Sequence, residues 1–265
     1  MKAMLEKIID AELERRKQER GLPELWRRPI VKFADAESPE FLRLRQSVLP
    51  DYSLPHQILP GAKIVISYFL PFCQQAAESN VGGRYASPLW VKAYQQSSQL
   101  LPIINETICK ALRQAGYRAV IPQDVGYAGP GVYKSRWSQR HIAWIGGMGT
   151  FGLHNLLITD SGCCGYYSSV VTNLDAPPDQ ILEEERCLWR SRGLCGQCLR
   201  QCVGGAWAQG EFLREKCLEM CLETARYYGR GEWEQPADAC GKCAVGLPCS
   251  LGVPGAIEKQ EKETS

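Results

Sequence analysis

Cys195-Gly196-Gln197-Cys198-Leu199-Arg200-Gln201-Cys202 is the stretch that decides how the C-terminal part of this chain folds. A second run of the same type begins with Cys240-Gly241-Lys242-Cys243 and is closed by Cys249. One lone cysteine precedes each run, Cys187 before the first and Cys217 before the second. A C-x2-C pair presents two thiolates to one metal from a single turn, and in a reducing compartment clustered cysteines favour metal over disulfides. The sequence therefore predicts a pair of metal centres.

The last cysteine of each run is predicted to bind the metal centre of the other run. In two-cluster bacterial ferredoxins, the fourth cysteine of a run ligates the other cluster. The same logic divides eight cysteines into two [4Fe–4S] sites. Site A takes Cys187, Cys195, Cys198 and Cys249, and site B takes Cys202, Cys217, Cys240 and Cys243. Cys221 is left over and could exchange roles with Cys217, because the two lie one helical turn apart.

Structural zinc is the alternative to iron–sulfur clusters. Zinc sites with four cysteine ligands also use C-x2-C pairs, and both runs depart from the ferredoxin pattern. Arg192 stands where a standard run has a cysteine, and Val203 and Ser250 stand where the usual proline follows. The interleaved closing cysteines favour iron–sulfur clusters, since zinc ribbons rarely need them.

Length and composition place the chain among ordinary globular proteins. Its 265 residues carry a formal net charge of +2, which indicates neither a nucleic-acid surface nor an anionic-membrane surface. No apolar run approaches the roughly 20 residues of a membrane helix. The charged N-terminus also lacks the apolar segment of a signal peptide. We therefore expect a cytoplasmic protein without a membrane anchor.

Upstream of the cysteines, the apolar periodicity predicts a domain that mixes helices and strands. Residues 22–60 and 73–90 are polar or proline-containing and are expected to be irregular. Helices are predicted over 3–20, 91–115 and 137–145, and strands over 63–70, 117–121, 156–159 and 166–174. The expected domains are an N-terminal helix and irregular arm over 1–60, a core domain over 61–180, a cluster module over 181–257 and a tail over 258–265.

A glycine-rich run separates two of these predicted elements. Gly146-Gly147-Met148-Gly149-Thr150-Phe151-Gly152 is too rich in glycine for a helix interior. We expect its backbone to lie close to something else, either packed protein or a flat ligand. His141 and His154 flank the run, and each could donate a proton or serve only in packing.

Several motifs resemble the epoxyqueuosine reductase superfamily, which also includes reductive dehalogenases. They are Trp137-Ser138-Gln139-Arg140-His141, Gly147 to Gly152, Leu157-Ile158-Thr159, Gly165 and Val170-Val171-Thr172, followed by the cysteine runs. The resemblance covers roughly residues 60–255 and rests on motif matches and their order.

The resemblance implies an α+β fold, with a nitroreductase-like α/β core and a ferredoxin-like module carrying two [4Fe–4S] clusters. It also implies a corrinoid such as cobalamin in the core domain. Electrons from an external low-potential donor would pass through both clusters to the cobalt, for reduction of a small substrate or of the corrinoid itself. The corrinoid would lie near Gly146, Gly147, Met148, Gly149, Thr150, Phe151, Gly152, Ile158 and Thr159. His141 and Tyr133 are the candidate catalytic residues.

Two departures from the family separate this chain from its better-known members. Epoxyqueuosine reductases carry an acidic residue shortly before the glycine run, where this chain has Lys134 or Ser135; the nearest carboxylate, Asp124, lies too early. The family's C-terminal repeat extension, used with tRNA, is also missing, so we expect a short branch that does not act on tRNA. A non-catalytic electron-transfer partner of a corrinoid enzyme and a zinc-stapled binding module remain alternatives. The oligomeric state stays open, with a homodimer among the choices.

Overall fold

Helices and strands are interspersed along the chain in the computed structural model, which describes residues 1–208, 210–229 and 235–255. The helices are α1 (Lys2–Arg20), α2 (Glu40–Ser47), α3 (Pro55–Ile58), α4 (Gln74–Ser79), α5 (Pro88–Gln114), α6 (Gln139–Ile145), α7 (Leu188–Arg192), α8 (Gln197–Arg200) and α9 (Arg214–Tyr228), with a 3-10 turn over Lys242–Ala244. The strands are β1 (Ile30–Asp35), β2 (Ile64–Pro71), β3 (Ala119–Val120), β4 (Gly149–Phe151), β5 (Leu157–Thr159), β6 (Gly165–Thr172), β7 (Trp207–Ala208) and β8 (Glu211–Phe212). This mixture confirms the α+β class.

A four-stranded antiparallel sheet in the order β1-β2-β6-β3 forms the centre of the fold. Strand β2 is buried along its whole length, as expected for an apolar, β-branched run between two neighbouring strands. Helices α1 and α5 cover one face of the sheet, and their apolar stripes share one core with β2. Helices α2 and α6 cover the other face, around the fully buried Trp137. The sheet is therefore the middle layer of three.

The long helix α5 matches its prediction and has clear end signals. Ser87 accepts a hydrogen bond from the Trp90 backbone N–H at 3.2 Å, which caps the first turn. Beyond the C-cap, Gly116 adopts a left-handed φ of 88°, which stops the helix. A buried polar network fixes the helix on the sheet, since Asn105 accepts a hydrogen bond from the Tyr68 hydroxyl at 2.9 Å and donates one to Ser168.

The prediction that residues 22–60 are irregular is wrong, because this segment contains β1, α2 and α3. Strand β1 pairs with β2 at all six of its residues. The extended conformation of β1 is therefore stabilised by a strand distant in sequence and not by its own residues. Residues 73–90 similarly contain α4, and β3 is shorter than predicted. The predicted strands near 157 and 166 are present as β5 and β6, although β5 pairs with β4 in a separate hairpin. The predicted tail, 258–265, lies outside the described residues.

Within the described part of the chain, no helix is both long and apolar enough to cross a membrane.

Buried polar contacts join the second cysteine run to the core. The Lys242 ammonium is only 4% exposed and donates to the Asn80 carbonyl, the Asn80 side chain and the Gly82 carbonyl. In return, the Asn80 amide donates to the Cys240 carbonyl at 2.8 Å. Gln201 donates to the carbonyls of Lys242 and Val245, which ties the first run to the second. These contacts fix both runs relative to the sheet.

Gly241 lies against the indole ring of Trp90. Its φ is 72°, and an added Cβ would lie 2.2 Å from a ring carbon. Trp90 is itself held in α5 against Phe72, with ring centroids 5.1 Å apart, so it has little freedom to move away. Glycine is therefore required at this position by both backbone conformation and packing.

Replacing Gly241 by alanine is expected to destabilise the protein by about 1–3 kcal/mol, because the new methyl group overpacks the Trp90 contact. The measurement is the thermal unfolding midpoint of protein purified without oxygen. Gly252→Ala is the matched control, since an added Cβ there meets nothing within 4 Å. Equal midpoints for the two variants would contradict this account of the packing.

Candidate metal centres

The four cysteines of site A line one cavity, of about 20 Å³. Cys187 is the N-cap of α7, and Cys198 lies within α8. Between them, Cys195 has a φ of 84°, a left-handed conformation that non-glycine residues rarely adopt. Two further left-handed residues, Gly193 and Gly196, flank the Leu194–Cys195 pair. The tight turn brings Cys195 to the cavity, and Cys249 reaches it from the second run.

The charges of the other site A thiolates act on Cys198. Burial and the charges of Cys249, Cys187 and Cys195 raise the pKa of Cys198 to about 11. Four thiolates could share this space only if a cation compensated their charge. The structure thus brings the predicted quartet together, while its binding of a metal stays a prediction.

Site B is assembled in the same way. Burial raises the pKa of Cys243, and the charges of Cys217, Cys240 and Cys202 raise it further. The pKa of Cys240 is also raised by burial and by the charges of Cys217 and Cys202. The charge of Cys202 thus acts on both cysteines of the second run, as the charge of Cys249 acts on Cys198 of the first. Metal binding here likewise remains a prediction.

Cys217 and Cys221 are joined by a hydrogen bond. The Cys221 thiol lowers the pKa of Cys217 to about 7, while the same bond raises the pKa of Cys221. The thiolate form is the metal ligand. Because the two thiols share this hydrogen bond, both stay candidates for the fourth ligand of site B.

The glycine run packs against the protein itself. An added Cβ at Gly147 would lie 1.9 Å from the Gln180 carbonyl oxygen, and one at Gly149 would lie 2.4 Å from that of Ile158. The Thr150 hydroxyl donates to Glu185 at 3.0 Å, and Glu185 also accepts the backbone N–H of Cys187 at 3.1 Å. The run thus supports the linker that leads into site A.

This packing accounts for the glycines without a ligand. Of the nine residues predicted to contact a corrinoid, all but the half-buried Phe151 are buried or nearly so. Of the two explanations that the sequence left open for the glycines, the close contact with protein is the one observed here. Cofactor binding by these nine residues stays a prediction.

The candidate catalytic residues His141 and Tyr133 have different surroundings. His141 Nδ1 lies 2.8 Å from the Ser138 hydroxyl, and its ring lies beside Phe151. Burial and the charges of Arg140 and Arg214 lower the pKa of His141 to about 4, so the imidazole is neutral at pH 7. Tyr133 is on a loop, and its hydroxyl donates to Glu215 of α9 at 3.5 Å.

A cavity of about 540 Å³ lies between the loop over 131–134 and the residues over 212–216 that begin α9. Its polar lining includes Tyr133, Arg214 and Glu215. The volume is in the range of small-molecule sites. Sequence alone does not indicate Arg214 and Glu215, because the contact between Tyr133 and Glu215 joins residues 82 positions apart and no motif signals it.

This cavity, named here the α9 cavity, lies near site B, although none of the site B cysteines lines it. Glu215 of its lining and Cys217 are two positions apart on α9, so their side chains leave the helix in different directions. Tyr127, whose ring packs edge-on against Tyr133, is also close to site B: burial and the charges of Cys221 and Cys217 raise its pKa. Arg140, whose pKa burial lowers, is near the thiolates of Cys217 and Cys243. An electron acceptor in the α9 cavity would therefore be next to site B.

No family model matches the sequence, and no curated protein matches it. Solved structures do resemble the fold. A crystal structure of epoxyqueuosine reductase matches with a TM-score of 0.51 and 16% identity, over 94% of this chain and 67% of that one. A crystal structure of epoxyqueuosine reductase with an epoxyqueuosine-modified tRNA-Tyr stem loop matches with a TM-score of 0.50 and 17% identity. The match covers 96% of this chain and 68% of that one. The structure of the Bacillus subtilis epoxyqueuosine reductase has a TM-score of 0.49 and 17% identity, with the same shares of the two chains covered. This chain has the fold of the epoxyqueuosine reductases, as its motifs predicted.

Proposed function

We propose that this protein is an iron–sulfur oxidoreductase that passes electrons through two [4Fe–4S] clusters to an acceptor in the α9 cavity. The observation that carries the proposal is the site A cavity, which is lined by three cysteines around the first run and by Cys249 of the second. The charges that the predicted site B cysteines exert on Cys243 support a second site. The epoxyqueuosine reductase fold supports a reductase. Each quartet supplies the four thiolates that a [4Fe–4S] cluster requires.

The spacing of the sulfur atoms favours clusters over zinc. Four thiolates on one zinc ion lie about 3.8 Å apart, since each Zn–S bond is about 2.3 Å and the geometry is tetrahedral. In a cubane each thiolate binds a different iron, so the sulfurs are farther apart. In the described part of the chain, three ligand atoms lie within 4.8 Å of one another only at His154, Cys163 and Cys249. In neither quartet, therefore, do three sulfurs lie within 4.8 Å of one another, as they would around one zinc ion.

The surroundings of the two sites suggest a direction for electron transfer. Trp189 lines the site A cavity and is 46% exposed, and neighbouring Leu194 is 57% exposed. Site B instead lies near the α9 cavity, since the charges of Cys217 and Cys221 act on Tyr127, which packs against Tyr133 of its lining. The charge of Cys198 also contributes to the raised pKa of Cys243, so the two sites are neighbours. An external low-potential donor would therefore reduce site A first, and site B would reduce the acceptor.

A corrinoid is the acceptor that the resemblance implies. The buried glycine run offers it little open surface, whereas the α9 cavity has open volume and polar side chains. Bound there, it would supply a cobalt centre able to carry out two-electron reductions. Tyr133, Arg214 and Glu215 are the residues of this chain that would surround it.

Glu215 compensates for the acidic residue that the loop lacks. Lys134 lines the cavity but is basic, and its ammonium donates a hydrogen bond to the Val48 carbonyl at 3.0 Å. Asp124 accepts a hydrogen bond from Ser53 and does not line the cavity. Glu215 does line it and lies 3.5 Å from the Tyr133 hydroxyl. We assign proton delivery to this Tyr133–Glu215 pair.

The acceptor's identity is tested with two probes, a corrinoid and a tRNA. One structural neighbour carries a tRNA stem loop, while the motif resemblance implies a corrinoid. Hydroxocobalamin and an epoxyqueuosine-containing stem loop are offered separately to the reduced protein. Reduction of hydroxocobalamin alone is the expected outcome. Conversion of the stem loop would assign this chain the reaction of its neighbours.

Iron content tests the two clusters. Protein purified without oxygen is expected to hold about eight irons per chain and to give [4Fe–4S] EPR signals on reduction. Cys198→Ser and Cys240→Ser should each lose about half of the iron, since each removes a ligand of one cluster. Cys109→Ala, in the core domain, is the control and should retain all of it.

Two results of this iron analysis would contradict the proposal. Zinc without iron would end the iron–sulfur proposal in favour of the zinc-stapled module. Loss of all the iron from Cys198→Ser, with none lost from Cys240→Ser, would contradict the division into sites A and B.

Removing the Glu215 acid should slow the reaction without affecting the clusters. We expect Glu215→Gln to retain its iron and its cluster reduction, but to lower turnover of the acceptor about 100-fold, the usual effect of losing a general acid. The measurement is the rate at which the acceptor reoxidises reduced protein. Glu219→Gln, one turn further along α9, is the matched control. Equal rates for both variants would remove Glu215 from the mechanism.

A further inference from the structure

We infer that His154 donates a hydrogen bond to the thiolate of Cys249 and thereby raises the reduction potential of the site A cluster. The inference rests on the proposed function, since it takes Cys249 as a cluster ligand. His154 Nε2 lies 3.6 Å from Cys249 Sγ, and the side chain is only 3% exposed. The contact joins the loop after the glycine run to the last cysteine of the second run.

The tautomer of His154 is fixed by its other nitrogen. The backbone N–H of Leu156 donates to Nδ1 at 3.1 Å, so Nδ1 must be the unprotonated nitrogen. In a neutral imidazole the proton is then on Nε2, which faces Cys249. A thiolate sulfur has acceptor capacity but no proton to offer. The pair is therefore an N–H donor and a charged acceptor.

The same hydrogen bond argues against His154 as a metal ligand. His154, Cys163 and Cys249 have ligand atoms within 4.8 Å of one another, a spacing that a single metal ion could use. A histidine that binds metal through Nε2 donates its Nδ1–H to a carbonyl or a carboxylate. Here Nδ1 faces an N–H donor instead, so Nε2 has no free lone pair. The geometry assigns His154 to the cysteine sulfur rather than to a metal ion.

The His154 ring is held rigidly in this position. An added Cβ at Gly152 would lie 2.4 Å from its Cε1 atom, so the ring lies flat against the glycine backbone. The backbone N–H of Gly152 donates to the Leu156 carbonyl at 2.8 Å, which closes the turn that carries the ring. This explains the last glycine of the glycine run.

A hydrogen bond to a ligand sulfur favours the reduced cluster. Reduction adds negative charge to the cluster and its thiolates, so an N–H donor stabilises the reduced state more than the oxidised state. Site A would receive electrons from an external donor, and a higher potential eases that step. His154 is thus a positioning and tuning residue and not a catalytic one.

The test is an EPR-monitored redox titration of His154→Phe, which retains a ring over Gly152 and removes the donor. We expect the reduced-to-oxidised ratio of one of the two clusters to fall about tenfold at a given potential. For a one-electron couple this lowers the midpoint potential by about 59 mV. The shifted signal should be the one that Cys198→Ser removes. The exposed His56→Gln variant is the control and should shift neither cluster.

Three results would overturn the inference. They are unchanged potentials in His154→Phe, a shift confined to the site B signal, and loss of a metal ion or of iron from this variant, which would make His154 a ligand. His154→Gln guards against a folding defect, because its amide N–H can still donate and its potential should lie between those of wild type and His154→Phe. Failure of the proposed function would look different, since the wild-type protein would then contain no cluster to titrate.

Discussion

The mutual repulsion of buried thiolates is the constraint on which the C-terminal half of this structure depends. Each quartet places four acidic sulfurs together in a partly buried space, and burial and neighbouring charges together raise the pKa of its members. Without a cation, such an arrangement is stable only with its thiols protonated. With a cluster, the same sulfurs become ligands, and binding free energy becomes folding free energy. The helices between them, α7 and α8, have five and four residues and are too short to be stable alone.

The core domain supplies the rigidity that the quartets lack. Lys242 and Asn80 hold the second run against the segment between α4 and α5, and Gly241 rests on Trp90 of α5. On the opposite side, Arg27 donates to the carbonyls of Leu251 and Ser161, which fixes the chain beyond Cys249. The β4–β5 hairpin holds the linker before Cys187. Both ends of site A are therefore anchored on the sheet, so its sulfurs are held in place before any metal arrives.

Sequence alone predicted what is encoded locally. The spacing of the cysteines predicted the four that line the site A cavity, and apolar periodicity predicted α1 and α5. It failed where a contact spans the chain. Strand β1 is stabilised by β2, which follows it by some thirty residues, and the Tyr133–Glu215 contact joins a loop to a helix 82 positions away. For the glycine run, the sequence predicted that the backbone lies close to another group. It did not predict that this group is the linker at Gln180.

Helix α9 joins the proposed electron and proton paths. Glu215 in its first turn lines the α9 cavity, and Cys217, two residues later, belongs to site B. The proposed proton donor and a proposed ligand of site B would then belong to one helix, which explains how this chain could dispense with an acidic residue on the loop.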